Sequence, residues 1–208
     1  MATYLFYKPK GCVTARRDAL KKTVMDYFPE EFRDRFHPVG RLDLDTEGLL
    51  LITDDGKLDQ QLLLPDRHVS KRYFFCCLGN IDEQKAEKLE NGIELYHKNV
   101  EARPAIYEPC GHDKIKNCLS LIPEHFRAKW MRNPDGDVTS GYLTITEGKK
   151  HQVKLMVKSL GCRVFYLKRV SIGNLTLDES LKPGEYRELT EEELALLTNP
   201  TEKKGLST

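Results

Sequence analysis

Apolar runs and polar turns succeed one another along the chain, and their spacing assigns most elements. "TYLFYKPKG" opens with an apolar-aromatic run suited to a strand and turns at Pro9-Lys10-Gly11. "TVMDYFPEEF" predicts a short helix interrupted by Pro29. "GLLLITDDG" is a continuous apolar run closed by Asp54-Asp55-Gly56, the pattern of a buried strand. "KLDQQLLL" has helical spacing and stops at Pro65. "KRYFFCCLGN" reads as a strand, and "DEQKAEKLENG" has the acidic start and Asn-Gly end of a helix. "GYLTITEGKKHQ" alternates as a strand before a polar turn, and "HQVKLMVKSLG" predicts a helix closed by Gly161. "CRVFYLKRVSIGNLTL" is again strand-like, and Thr190 with Glu193 forms a capping box ahead of a last helix.

Strands and helices are interspersed without a βαβα beat, and no internal repeat stands out. The expected fold is α+β, a mixed and largely antiparallel sheet with flanking helices, in one domain over residues 1–198. Residues 109–140 carry the weakest pattern, and "WMRNPDGDVTSG" within them suggests an extended surface loop. The tail "NPTEKKGLST" (199–208) is expected to be disordered.

With 39% hydrophobic and 31% charged residues, the chain has the balance of an ordinary soluble globular protein. No run of about 18 apolar residues occurs, so no membrane span is expected. The opening "MATYLFYKPKG" lacks the basic and apolar regions of a secretory signal. A cytoplasmic protein follows, and its six cysteines are then expected as reduced thiols. Cys110, His112, Cys118 and His125 invite a zinc reading, but one, five and six residues separate them. Those spacings match no compact zinc knuckle, and no metal is expected there.

The net charge of +1 hides segments of opposite sign. From Glu147 to Arg169 seven basic residues face one acid, and the opening stretch adds Lys8, Lys10, Arg16, Arg17, Lys21 and Lys22 against Asp18. A charge run is most often a solvated face. Two basic segments, each beside a glycine-containing turn, point further, to a polyanion whose neutralised phosphates release counterions. That makes a nucleic-acid partner plausible without saying whether anything is done to it.

Three segments decide the matter. "PVGRLDLDTEGLLLITDDG" (38–56), "VSKRYFFCCLG" (69–79) and "TEGKKHQVKLMVKSLG" (146–161) resemble, in order, the signature blocks of pseudouridine synthases. The match is to the branch that modifies ribosomal RNA, the small-subunit type and its large-subunit relatives. "YKPKGCVTARRD" and "RVSIGNLTLDESLKPGEYREL" fit the same branch, so the resemblance runs from Tyr4 to Leu197.

The resemblance implies a catalytic fold of two packed subdomains around a central cleft. It makes Asp43, in "GRLD", the nucleophile. Tyr73, in "KRY", becomes the aromatic residue that stacks on the target base, and Lys154, in "HQVK", the cation paired with Asp43. Arg41, Lys8, Lys10, Arg16, Arg17, Lys149, Lys150 and Lys158 are the expected RNA contacts. Lys154 departs from the branch's usual Arg and offers a point charge instead of a bidentate fork. Many members also carry an N-terminal S4-type RNA-binding domain, which finds no room before Tyr4. That absence resembles some large-subunit enzymes and inclines the expectation toward 23S ribosomal RNA.

Pseudouridine formation breaks the C1′–N1 bond, turns the base and joins C1′ to C5. Nothing is oxidised, so no cofactor or metal is expected. A carboxylate suffices as covalent catalyst, attacking C6 or C1′. A target base cannot be reached while stacked, hence the flipped base on an aromatic face. Asp45 and Thr46 are expected to shape the loop by local hydrogen bonds, and Gly48 to permit an unusual dihedral or a close approach. Two other readings compete. One is a Mg²⁺-dependent phosphodiesterase using Asp43, Asp45, Asp54 and Asp55, and the other a non-catalytic ribosomal RNA-binding or assembly protein. A monomer is the default.

Overall fold

The computed structural model describes residues 1–198, so the expected disordered tail lies outside the described residues. In chain order the elements are β1 (Thr3–Lys8), α1 (Phe32–Arg35), β2 (His37–Val39), β3 (Glu47–Thr53), α2 (Gly56–Leu63), β4 (Lys71–Leu78), α3 (Glu83–Glu90), β5 (Ile93–Glu94), β6 (Glu101–Ala102), β7 (Ile106–Lys114), α4 (Glu124–Trp130), β8 (Asp137–Ile145), α5 (Gln152–Ser159), β9 (Arg163–Ile172), β10 (Leu175–Thr176), β11 (Tyr186–Glu188) and α6 (Glu191–Thr198). The class is α+β, with antiparallel pairing in β1·β3, β1·β11, β2·β3, β5·β6, β7·β8 and β9·β10. The chain divides into two compact units: Met1–Lys71 with the chain from Arg169 on, and Arg72–Lys168.

In the first unit β1 lies between β11 and β3. The run "GLLLIT" is apolar throughout because β3 is covered on both faces. Leu49 and Leu51 pack with Leu58 and Leu62 of α2 and Leu197 of α6. Leu50, paired with Phe6 on β1, is also fully buried, and Phe6 meets Phe28 in an aromatic cluster with Tyr4, Phe36 and Tyr186. A strand buried on both faces cannot alternate, and here it does not. Asp55 caps α2 by accepting from the backbone N–H groups of Lys57 and Leu58. The box expected at α6 forms reciprocally between Thr190 and Glu193.

In the second unit β8 lies between β4 and β7. Here the sequence reading needs correction. The weakly patterned residues 109–140 carry most of β7, then α4, then the start of β8, and of the expected loop at 130–141 only residues 131–136 are turn, between the end of α4 and the start of β8. Trp130, expected in the loop, is buried on α4 with its ring 5.7 Å from Phe165, in a cluster with Ile115, Cys118, Ile122 and Val138. β7 escaped detection because it ends the strand order and is exposed at most positions. Its register also shifts between Pro109 and Gly111, so it lacks the period-two signature of a half-buried strand.

The predicted closure of α5 by Gly161 is present in full. Gly161 has φ +76°, its N–H donates to the Lys158 carbonyl, and the Cys162 N–H donates to that of Val157. These are the two bonds of a Schellman motif. All six cysteines are free. Cys110 and His112 are exposed on β7 whereas Cys118 is buried, and no cluster of metal-ligating side chains occurs among the described residues. No helix among them is long and apolar enough to cross a membrane.

Candidate active site

Asp43 lies in the turn between β2 and β3, and the backbone of that turn is held at nearly every residue. The Thr14 hydroxyl donates to the Leu42 carbonyl at 2.7 Å and accepts from the Leu42 N–H at 3.1 Å. The Thr46 N–H closes the turn on the Asp43 carbonyl at 3.1 Å, and the Gly11 N–H reaches the Leu44 carbonyl at 2.7 Å. Leu42 is buried, Asp43 half-buried, and Leu44 and Asp45 are exposed.

Lys8 supplies further donors to the same turn. This residue ends β1 with its side chain fully buried, and its ammonium donates to the carbonyls of Asp43 (3.0 Å), Thr46 (2.8 Å) and Pro9 (3.0 Å). Burial lowers its pKa, opposed by Cys12, Asp43, Asp45 and Glu47 nearby. The expectation that Lys8 contacts RNA is therefore corrected: an ammonium closed inside the fold on three carbonyls is a bracket for the Asp43 turn. Thr46 is a second correction. Its hydroxyl is buried without a hydrogen-bond partner, so Lys8, Thr14 and Gly11 hold the turn in its place. Gly48 behaves as expected. It has φ +109°, and a Cβ there would lie 2.2 Å from the Arg169 carbonyl oxygen.

The other two expected catalytic residues belong to the second unit. Tyr73 sits on β4 and is only 9% exposed. Lys154 is half-buried in the first turn of α5. The turn before α5 is organised by Glu147, which accepts from Lys149 Nζ, Gln152 Nε2 and the Arg103 N–H. Gln152, buried, accepts in turn from the Lys149 N–H. These bonds fix where the helix begins and so where Lys154 stands on it.

Of the basic residues, Arg41, Lys10, Arg16, Arg17, Lys150 and Lys158 are exposed. Several have local partners. Arg16 donates to the carbonyls of Phe36 and Asp34, Arg17 pairs with the Asp34 carboxylate, and Lys10 lies 3.9 Å from Glu47. Lys149 is engaged by Glu147, and Lys158 sits 4.1 Å from the Tyr96 ring centroid. Two acids of the competing metal reading have structural tasks instead. Asp54 binds Arg35 and the Ala2 N–H, and Asp55 is the cap of α2.

A model of the family described as RNA pseudouridylate synthase matches residues 2–159. An uncharacterized RNA pseudouridine synthase of Bacillus subtilis is 43% identical over 194 residues, covering 93% of this chain and 72% of that protein. The ribosomal small subunit pseudouridine synthase A of Escherichia coli K12 is 34% identical over 192 residues, covering 92% of this chain and 72% of that protein. A solved pseudouridylate synthase structure superposes with a TM-score of 0.77 at 33% identity, covering 94% of this chain and 73% of the other.

Proposed function

This chain belongs to the RNA pseudouridine synthase family, and on that premise we propose that it isomerises a uridine of ribosomal RNA with Asp43 as nucleophile. The observation that carries the assignment is the turn around Asp43. Its backbone carbonyls are held by Lys8, the Gly11 N–H, Thr14 and the Thr46 N–H, while the side chain stays half-buried. A nucleophile needs this combination, because misplacing a reacting group by about 1 Å can cost ~10²-fold in rate.

In the proposed reaction the Asp43 carboxylate adds to C6 of the ring or to C1′ of the ribose. The C1′–N1 bond breaks, the base turns, the C1′–C5 bond forms, and the bond from carbon to the Asp43 oxygen breaks to return the free carboxylate. C5 then loses its proton while N1 ends carrying one, so the composition of the RNA is unchanged. Tyr73 provides the face on which the flipped base rests, and such stacking contributes roughly 1–3 kcal/mol. A cation in the role expected of Lys154 would favour the ionised form that the attack requires. Exposed cations such as Arg41, Lys150 and Lys158 hold the strand by its phosphates. The enzyme acts as a cytoplasmic monomer needing no metal or other cofactor.

The sequence alone inclined toward 23S RNA. Relatives at 34% identity are ribosomal small subunit pseudouridine synthases, which favours the small-subunit RNA instead, and we adopt that as the target. The test is release of tritium from 16S and 23S transcripts made with [5-³H]uridine, with and without EDTA. Release from the 16S transcript, unchanged by EDTA and mapping to one uridine, supports the proposal. Release from 23S alone would overturn the target, and release from neither would overturn the ribosomal RNA assignment.

A further inference from the structure

The Asp43 turn carries an apolar side chain at its exposed tip. The Thr46 N–H donates to the Asp43 carbonyl at 3.1 Å, so Asp43 opens and Thr46 closes a four-residue turn with Leu44 and Asp45 at its centre. Both central residues are exposed, and Leu44 keeps 40% of its surface open. Turn tips are dominated by Gly, Pro, Asn, Asp and Ser. Asp45 follows that preference and Leu44 does not.

The backbone beneath Leu44 is fixed. Its own carbonyl accepts from the Gly11 N–H at 2.7 Å. On either side, the Asp43 and Thr46 carbonyls accept from the Lys8 ammonium at 3.0 and 2.8 Å, and the Leu42 carbonyl accepts from the Thr14 hydroxyl at 2.7 Å. An apolar group is thus held out to water on a rigid support.

A lone exposed leucine is commonplace on a protein surface. This one is set apart by its neighbour. The Cα atoms of Leu44 and Asp43 are about 3.8 Å apart across the peptide bond, and the reacting carbon of the uridine must come within about 3–3.5 Å of the Asp43 carboxylate. A strand that delivers its uridine there also lies over the tip of the turn. Flipping the uridine leaves an empty step in the stack, and the bases on either side of it turn apolar faces to water. Proteins that open a base step commonly wedge an apolar side chain into it, leucine among them. C1′ lies between the flipped base and the stack, so a side chain one residue from the nucleophile is within reach of the empty step. Resting on the reading of RNA as substrate, we propose that Leu44 inserts into the step vacated by the target uridine and holds the flipped state open. Leu44 is then a positioning residue, and the chemistry stays with Asp43.

Leu44→Asn and Leu44→Met test this on the transcript that wild type modifies. Asn is close to Leu in size and is favoured in turns, so a leucine that served the turn alone is replaced without loss. Leu44→Asn melts at or above the wild-type temperature, and its slope of log K against log salt is unchanged because no charge is altered. Single-turnover tritium release at saturating protein slows by roughly tenfold, as for the loss of one stacking contact. Leu44→Met, apolar and of similar volume, restores most of the rate. On a synthetic RNA with 2-aminopurine beside the modified uridine, wild type raises the fluorescence as the neighbour unstacks, and Leu44→Asn raises it less.

Release by Leu44→Asn within about twofold of wild type would overturn the proposal, as would a Leu44→Met protein as slow as Leu44→Asn. Weaker binding with an intact single-turnover rate would place Leu44 against the strand but outside the stack, and would overturn it too. If Leu44→Asn does not fold, Leu44→Ala set against Leu44→Met gives the same decision. Absence of release by wild type from every transcript would bring down the functional reading and this inference with it, whereas wild-type release matched by Leu44→Asn removes the inference alone.

Discussion

Replacing Lys8 by Met removes the ammonium from beneath the Asp43 turn while filling most of its volume. Three carbonyls lose a donor: Pro9, Asp43 and Thr46. They do not lose equally. The Asp43 carbonyl keeps its bond from the Thr46 N–H, and the bonds to Pro9 and Asp43 are only partly buried, so water can reach those oxygens. The bond to Thr46 is fully buried, and that oxygen bears most of the desolvation penalty. One buried acceptor left unsatisfied costs about 1–3 kcal/mol. Relief of the buried ammonium's own desolvation offsets part of the remaining loss. A net destabilisation of about 2–4 kcal/mol follows, at the upper end of ordinary single substitutions.

Activity should fall by more than stability alone dictates, because the turn that orients Asp43 loosens even in folded molecules. A drop in kcat of roughly 10²-fold is expected. Urea denaturation gives the first number from the shift in midpoint at constant slope. Single-turnover tritium release, at a temperature where circular dichroism shows the variant folded, gives the second. A Lys8→Met protein within about 0.5 kcal/mol of wild type and within twofold in kcat would refute the bracket. Loss of stability with intact single-turnover rate would refute its catalytic half.

Two further substitutions probe the frame. Gly48→Ala would drive a Cβ to 2.2 Å from the Arg169 carbonyl at φ +109°, so a loss of more than about 3 kcal/mol is expected from clash and strain combined. A soluble variant of near-native melting temperature would contradict this. At the other end of the first unit, hydrogen bonds from Ser180 and then Arg187 hold the Asp178 carboxyl at about 2, against an ordinary value of about 3.9. A depressed folded-state pKa stabilises above the unfolded value and loses that contribution as pH falls through the folded one. The urea midpoint of wild type should thus exceed that of Arg187→Met most at neutral pH, with the gap narrowing from pH 4 toward pH 2. A gap independent of pH would contradict the linkage.

How far the sequence disclosed this depended on whether a residue's task was local. Helix α5 was legible to its last residue because Gly161 and the bonds it permits are a local device, and the Thr190–Glu193 box was legible for the same reason. The strand β3 announced itself by being apolar on both faces. β7 did not, since an exposed terminal strand has no apolar face to display. Asp43 could be singled out only by the order of three motifs. The residues that hold its turn could not, because nothing in "LFYKPKG" says that Lys8 points inward to carbonyls some 35 positions away.

The central claim is that Asp43 is the nucleophile, and Asp43→Asn tests it most directly. The amide keeps the shape of the side chain but lacks the carboxylate's nucleophilicity. Tritium release from a [5-³H]uridine-labelled transcript that wild type modifies should be abolished in Asp43→Asn, with its melting temperature and RNA affinity close to wild type. A variant that still releases tritium at the wild-type rate would show that the carboxylate is not the catalyst, and the account of the turn built around it would fall with it.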